Sequence, residues 1–149
     1  MTHDKRGHYG IAMLHPSHAE NVAGVARATG CFDADYMATI GTNYEHHPAS
    51  VGHERHTPIW QFDRFGTLCE SMPHDTEIVA VDFNDNATPL SEFQHPERAM
   101  YVLGEEGPGF QQYPGVLNDA DETVYMEAEY CMNVAVAGNM VLRDRYNSD

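Results

Sequence analysis

The sequence predicts an α/β fold, a mostly parallel sheet flanked by helices, in a single domain spanning residues 1–149. Three observations predict it: short strands apolar on both faces, helical segments between them, and no internal repeat or linker. A chain of this length buries one sizeable core, and its apolar residues, 42% of the total, are spread along it. That distribution excludes a disordered chain despite the high charge.

The first strand is HYGIAML, residues 8–14, an apolar run closed by the turn HPSH. The helical stretch HAENVAGVARATG follows, with Val22, Val25 and Ala26 at helical spacing. Ser17 or Asn21 is its expected cap and Gly30 its expected stop. DYMATI, residues 35–40, reads as the second strand. Residues 41–58, rich in Gly, Pro, His and Asn, form a long loop of the kind that carries function. IWQF, a short helix GTLCESM, and the strands at 77–83 and 99–104 come next, the last two separated by a polar connection containing TPLSEF. The C-terminal part supplies a strand at 122–126 and a helix over CMNVAVAGNMVLRDRY. Val134, Ala137, Val141 and Met140 share a stripe of this helix, and Arg143 and Arg145 suit its last turn.

Charge excludes some functions. Acidic residues number 23 against 8 basic ones, of which only Lys5 is lysine, giving a formal net charge of −15. Such a surface disfavours non-specific nucleic-acid binding at low salt, and molar salt screens the repulsion. A salt-loving cytoplasm accounts for it, and a viral or merely acidic mesophilic protein accounts for it as well. Cys31, Cys69 and Cys131 are odd in number and form no CxxC pair, which fits reduced thiols inside a cell. No apolar run reaches the ~18 residues a membrane span needs, so the expectation is a cytoplasmic protein without membrane contact.

The segment YVLGEEGPGF, residues 101–110, runs from a buried strand into a loop reading G-x-x-G-x-G. It matches neither a dinucleotide-binding turn nor a P-loop, and Glu105 and Glu106 would repel phosphates. A ligand with a positive centre suits it better. S-adenosylmethionine is such a ligand: its sulfonium is cationic, its adenine flat and apolar, and a glycine turn lets backbone groups approach it.

Three segments in order carry a family resemblance. NVAGVARA places Asn21 and Arg27 six residues apart, and because six residues do not share one helix face, Asn21 is expected in the turn before the helix. VLGEEGPGF supplies Gly104, Glu106, Gly107 and Gly109. VYMEAEYCMNVAVAGNMVL supplies Val124, Tyr125, Met126, Cys131, Met132 and Asn133. Together they resemble the three motifs of the SpoU (TrmH-like) branch of the SPOUT RNA methyltransferases. The sequence departs from the family pattern in three ways: Ala23 and Gly24 stand in swapped order, Tyr125 replaces a proline, and Cys131 replaces a serine.

The resemblance implies a C-terminal deep trefoil knot, S-adenosylmethionine as cofactor, and methyl transfer to a ribose 2′-hydroxyl of tRNA or rRNA. It implies Arg27 as the catalytic arginine, with Asn21, Glu106, Cys131 and Asn133 holding it, the ribose and the cofactor in place. Leu103, Gly104, Gly107, Val124, Met126 and Met132 would line the adenosine pocket, with Asn133 beside them. It also implies a homodimer burying the first and last helices, with target choice left to the dimer surface or a helper protein.

Taken singly, these residues have plainer readings. Asn21 is then a helix cap, Arg27 a surface residue, Cys131 a small buried residue, and the glycines an ordinary turn. A non-catalytic RNA- or protein-binding member of the fold with a decayed cofactor site is the main rival, and a nucleotide-binding α/β module is a third reading. His46, His47, His53 and His56 share one loop but match no zinc spacing, so no metal is expected, and Arg55 in that loop is a candidate RNA contact.

Overall fold

A computed structural model describes residue 5 and residues 7–41 and 57–148. Seven strands, β1 (His8–Leu14), β2 (Tyr36–Ile40), β3 (Ile59–Phe62), β4 (Glu77–Val81), β5 (Thr88–Pro89), β6 (Arg98–Leu103) and β7 (Glu122–Tyr125), form one sheet. Every pairing is parallel, and the strand order is β3-β2-β1-β6-β4-β7-β5. Helices α1 (Ala19–Cys31), α2 (Phe65–Ser71), α3 (Pro114–Asp119) and α4 (Val134–Ser148) complete it. The expected α/β class is what the chain adopts. None of the described helices is long and apolar enough to cross a membrane.

Strand side chains alternate between faces, and each face of the central strands is buried. On one side Tyr9, Ile11 and Met13 of β1, Val79 and Val81 of β4, and Tyr101 and Leu103 of β6 pack beneath α1 and α4. On the other, Ala12, Leu14, Ile78, Ala80, Met100 and Val102 meet Leu68 of α2 and Val116 of α3. The continuous apolar runs thus follow from a sheet covered on both faces. The edges are blunted differently: β5 has two residues, one of them a proline that offers no N–H, and Trp60 of β3 stacks on Tyr36 at 4.8 Å.

Several boundary expectations are corrected. Asn21 lies inside the first turn of α1, because the extended residue before the helix is His18, with φ −123° and ψ 119°. Neither Ser17 nor Asn21 caps α1; their side chains are bonded elsewhere. The helix passes Gly30 and ends at Cys31, and the left-handed residue of the turn is Asp33, with φ 57°. The final helix begins at Val134 rather than Cys131, because Asn133 Oδ1 accepts the Ala135 and Val136 N–H groups and caps it there. Met140 leaves the buried stripe and is 39% exposed. Periodicity gave no signal for β5 or α3, both six residues or shorter.

Arg145 stands in the last turn of α4, as expected. It is also buried there: it is 1% exposed, donates to the carbonyls of Pro96 and Glu97, and lies over the Tyr9 ring. Beside it, the His95 ring bridges Tyr101 Oη and Asp144 Oδ2, each at 2.6 Å. These contacts pin the end of α4 to the segment leading into β6. His95→Ala removes two hydrogen bonds and leaves a cavity where the side chain is 3% exposed. Urea denaturation is expected to show a loss of about 2–3 kcal/mol; a loss within error would mean the bridge is idle.

Candidate active site

Strands β1, β4, β6 and β7 are neighbours and parallel, so the loops leaving their carboxyl ends meet on one edge of the sheet. Crevices in α/β proteins form at such edges. Here a cleft of about 770 Å³ is bounded by the segment before α1, the end of β4, the glycine loop 104–109 and the segment 126–133.

Gly104, Gly107 and Gly109 make the glycine loop a tight reversal. Glu105 and Gly109 exchange N–H···O bonds at 2.8 Å in each direction, and Gly107 and Gly109 take φ of +85° and +65°. A Cβ on Gly104 would stand 2.9 Å from the Gly109 backbone, too close for the loop to keep its shape. Leu103 ends the strand in the core, and Gly104 begins the cleft wall.

Glu106 organises the polar rim. Its Oε2 accepts from Ser17 Oγ at 2.6 Å and from His18 Nδ1, and its Oε1 accepts from Asn21 Nδ2 at 2.9 Å. Asn21 Oδ1 accepts in turn from Asn133 Nδ2 at 3.0 Å, which also caps α4. One carboxylate thereby ties the three sequence segments together. Partial burial opposes ionisation of Glu106, but the hydrogen bonds from His18, Ser17 and Asn21 outweigh it and lower its pKa. His18 is raised above 6.5 by its hydrogen bond and charge contact with Glu106.

The floor is apolar, with Val81, Leu103, Met126, Met132, Val134 and Ala137 lining it. Tyr125 lines it too, edge-on to Phe83 at 5.0 Å between centroids. Asp82 and Glu105 add carboxylates, and Glu105 Oε2 is buried with no hydrogen-bond partner among the described residues. An apolar floor beside an unsatisfied carboxylate oxygen fits a flat, cationic ligand better than a phosphate.

The expected residues do not all meet here. Asn21, Leu103, Gly104, Glu106, Gly107, Met126, Cys131, Met132 and Asn133 line the cleft. Val124 does not: it is fully buried in the core, and its carbonyl accepts the Asp82 N–H instead. Cys131, whose plainer reading was a small buried residue, is exposed at the rim. Arg27 is exposed on α1 and does not line the cleft. His46, His47, His53, Arg55 and His56 lie outside the described residues, and the described residues contain no cluster of metal-binding side chains. Sequence reasoning missed His18 and the partner role of Ser17, since nothing in local spacing links them to a glutamate 88 and 89 residues away.

This geometry suits a flat, cationic ligand such as S-adenosylmethionine, and comparison with known proteins gives the family. Residues 9–143 match the model of the SpoU rRNA Methylase family, and the chain belongs to that family. No curated protein matches the chain. Among solved structures it is similar to the SpoU methyltransferase AviRb from Streptomyces viridochromogenes, with TM-score 0.82 and 15% identity over 97% of this chain and 60% of that one. It is similar to the A. aeolicus TrmH/SpoU tRNA modifying enzyme, with TM-score 0.84 and 16% identity over 97% of this chain and 77% of that one. A protein solved for insight into 2-OH methylation on tRNA gives TM-score 0.82 and 19% identity, covering 95% of both chains. The chain therefore spans about three-fifths of AviRb and nearly all of the last.

The Glu106–His18 pair makes pH a probe of the site. Glu106 adds stability above its ordinary pKa of 4.5, lost as pH falls through its lowered folded value; His18 adds stability below 6.5, lost as pH rises through its raised one. The pair is complete between these ordinary values. The melting temperature of wild type minus that of Glu106→Gln is expected to peak between pH 4.5 and 6.5; a difference flat with pH would show that the pairing does not persist in solution.

Proposed function

We propose that the protein transfers a methyl group from S-adenosylmethionine to a ribose 2′-hydroxyl of tRNA or rRNA. The observation that carries this reading is the cleft itself, where Asn21, the glycine loop and Asn133 converge through Glu106 over an apolar floor. Family membership and the fold support it. So does the AdoMet complex of AviRb, whose fold this chain shares at TM-score 0.83 and 15% identity, over 97% of this chain and 61% of that one.

Val81, Leu103, Met126, Met132 and the backbone of Gly104 would hold the adenosine, and Glu105 and Asp82 would face the positive charge. When bound, S-adenosylmethionine supplies an activated methyl group. The chain's own residues align the reacting groups, and alignment is where much of the barrier to such a transfer lies. In the family's pattern Arg27 binds the phosphate beside the target ribose and stabilises the developing alkoxide. A guanidinium keeps its proton in proteins, so it serves as an electrostatic group rather than a base.

Two further parts belong to this reading. The loops 104–109 and 126–133 cross in a deep trefoil knot, which holds the cleft without any added domain. The active unit is a homodimer: Val136, 49% exposed, and Met140, 39% exposed, on α4, with Phe32 at the end of α1, leave an apolar strip that a second copy would cover. Arg27, outside its own cleft, would then act on RNA seated against the partner subunit. A cytoplasmic location accords with three free cysteines, and a helper protein would supply RNA selection that a chain this acidic lacks. The rival, a non-catalytic RNA- or protein-binding module, draws on Cys131, which presents a thiol at the rim in place of a hydroxyl.

Calorimetric titration is expected to show one S-adenosylmethionine per subunit and no binding of ATP or NAD. Gly104→Ala should weaken that binding at least ~10-fold through the clash with Gly109. Arg27→Ala should abolish transfer with cofactor affinity intact; wild-type protein that binds no cofactor would select the rival.

A further inference from the structure

With the arginine retaining its proton, the reaction needs another group to accept the hydrogen of the 2′-hydroxyl. Among the described residues lining the cleft, one side chain combines a base of suitable strength with access. His18 sits at the cleft mouth, its side chain 62% exposed. Its Nδ1 is engaged by Glu106 Oε2, with Ser17 Oγ 3.2 Å away, while among the described residues no hydrogen bond engages Nε2. A carboxylate bonded to Nδ1 selects the tautomer with the proton on that nitrogen and leaves the lone pair on Nε2. Histidine–carboxylate pairs that act as bases have this arrangement.

We propose that His18 is the general base of the methyl transfer, oriented by Glu106 through Nδ1 and accepting the 2′-hydroxyl proton at Nε2. The inference rests on the proposed function and adds to it a residue outside the three family motifs. As the hydroxyl O–H bond breaks, its proton passes to Nε2 and its electron pair stays on oxygen. That oxygen bonds to the methyl carbon while the carbon–sulfur bond breaks with its pair going to sulfur. The imidazolium then releases its proton to water.

The surroundings favour this role. The acidic groups acting on His18 are Glu106 from the glycine loop and Glu20 from α1, and both raise its pKa above 6.5. A stronger base gains driving force for taking the hydroxyl proton. Glu106 also carries Asn21 and Asn133, so the element that aims the base is the one that shapes the cofactor cleft.

The test joins a measurement on the unliganded protein with kinetics. Nitrogen NMR of the histidine rings is expected to show His18 titrating above 6.5, neutral with its proton on Nδ1, and returning toward 6.5 in Glu106→Gln. His18→Ala and His18→Gln should lower the saturating rate on a tRNA substrate by ~10²–10⁴-fold, with S-adenosylmethionine affinity unchanged. The acid limb of the wild-type rate profile should follow the NMR titration. A neutral ring protonated on Nε2, or an active wild type whose rate survives both substitutions, would overturn the assignment while leaving the function standing. Loss of cofactor affinity with the saturating rate retained would make His18 a binding residue and overturn it too. A wild type that binds S-adenosylmethionine but methylates no RNA overturns the function and, with it, the base.

Discussion

The Glu106 carboxylate is the interaction on which the site depends. It receives hydrogen bonds from the segment entering α1 and from α1 itself, and through Asn21 it reaches the cap of α4. Without it, three loops that leave different strands would have no common anchor. A carboxylate suits this task because it only accepts, and its two oxygens take several donors at once. The cost of partly burying it is met by those donors, as its lowered pKa indicates.

The sheet provides what Glu106 then refines. Parallel pairing of β1, β6, β4 and β7 sends their carboxyl ends to the same edge, so a strand order of β1-β6-β4-β7 is already a statement about where a ligand binds. The buried Arg145 and the His95 bridge hold the far end of α4, and Asn133 holds its near end. The helix that shares one face of the sheet with α1 is therefore fastened at both ends, one of them inside the site.

Much of this was legible in the residues. The apolar runs of β1, β4 and β6 announce a sheet covered on both faces because no strand with a solvated face could sustain them. The glycines at 104, 107 and 109 announce a reversal that side chains would block, and the glutamates announce its charge preference. Where reading failed, tertiary contacts had overridden local preference: Ser17 and Asn21 look like caps but are drawn to Glu106. Val124 follows the family motif yet points into the core, because alternation along β7 leaves no choice of face.

By itself the sequence determined the α/β class, the order of the elements, the acidic surface and the identity of the three motif segments. These follow from short-range periodicity, composition and spacing, which are properties of neighbouring residues. Only the tertiary structure decided that His18 meets Glu106 across 88 positions, that Asn21 and Asn133 bond across 112, and that Arg27 stands apart from the cleft its motif helps to build. Such contacts arise when strand pairing brings distant loops to one edge, and no local pattern of residues encodes which of their side chains will face each other.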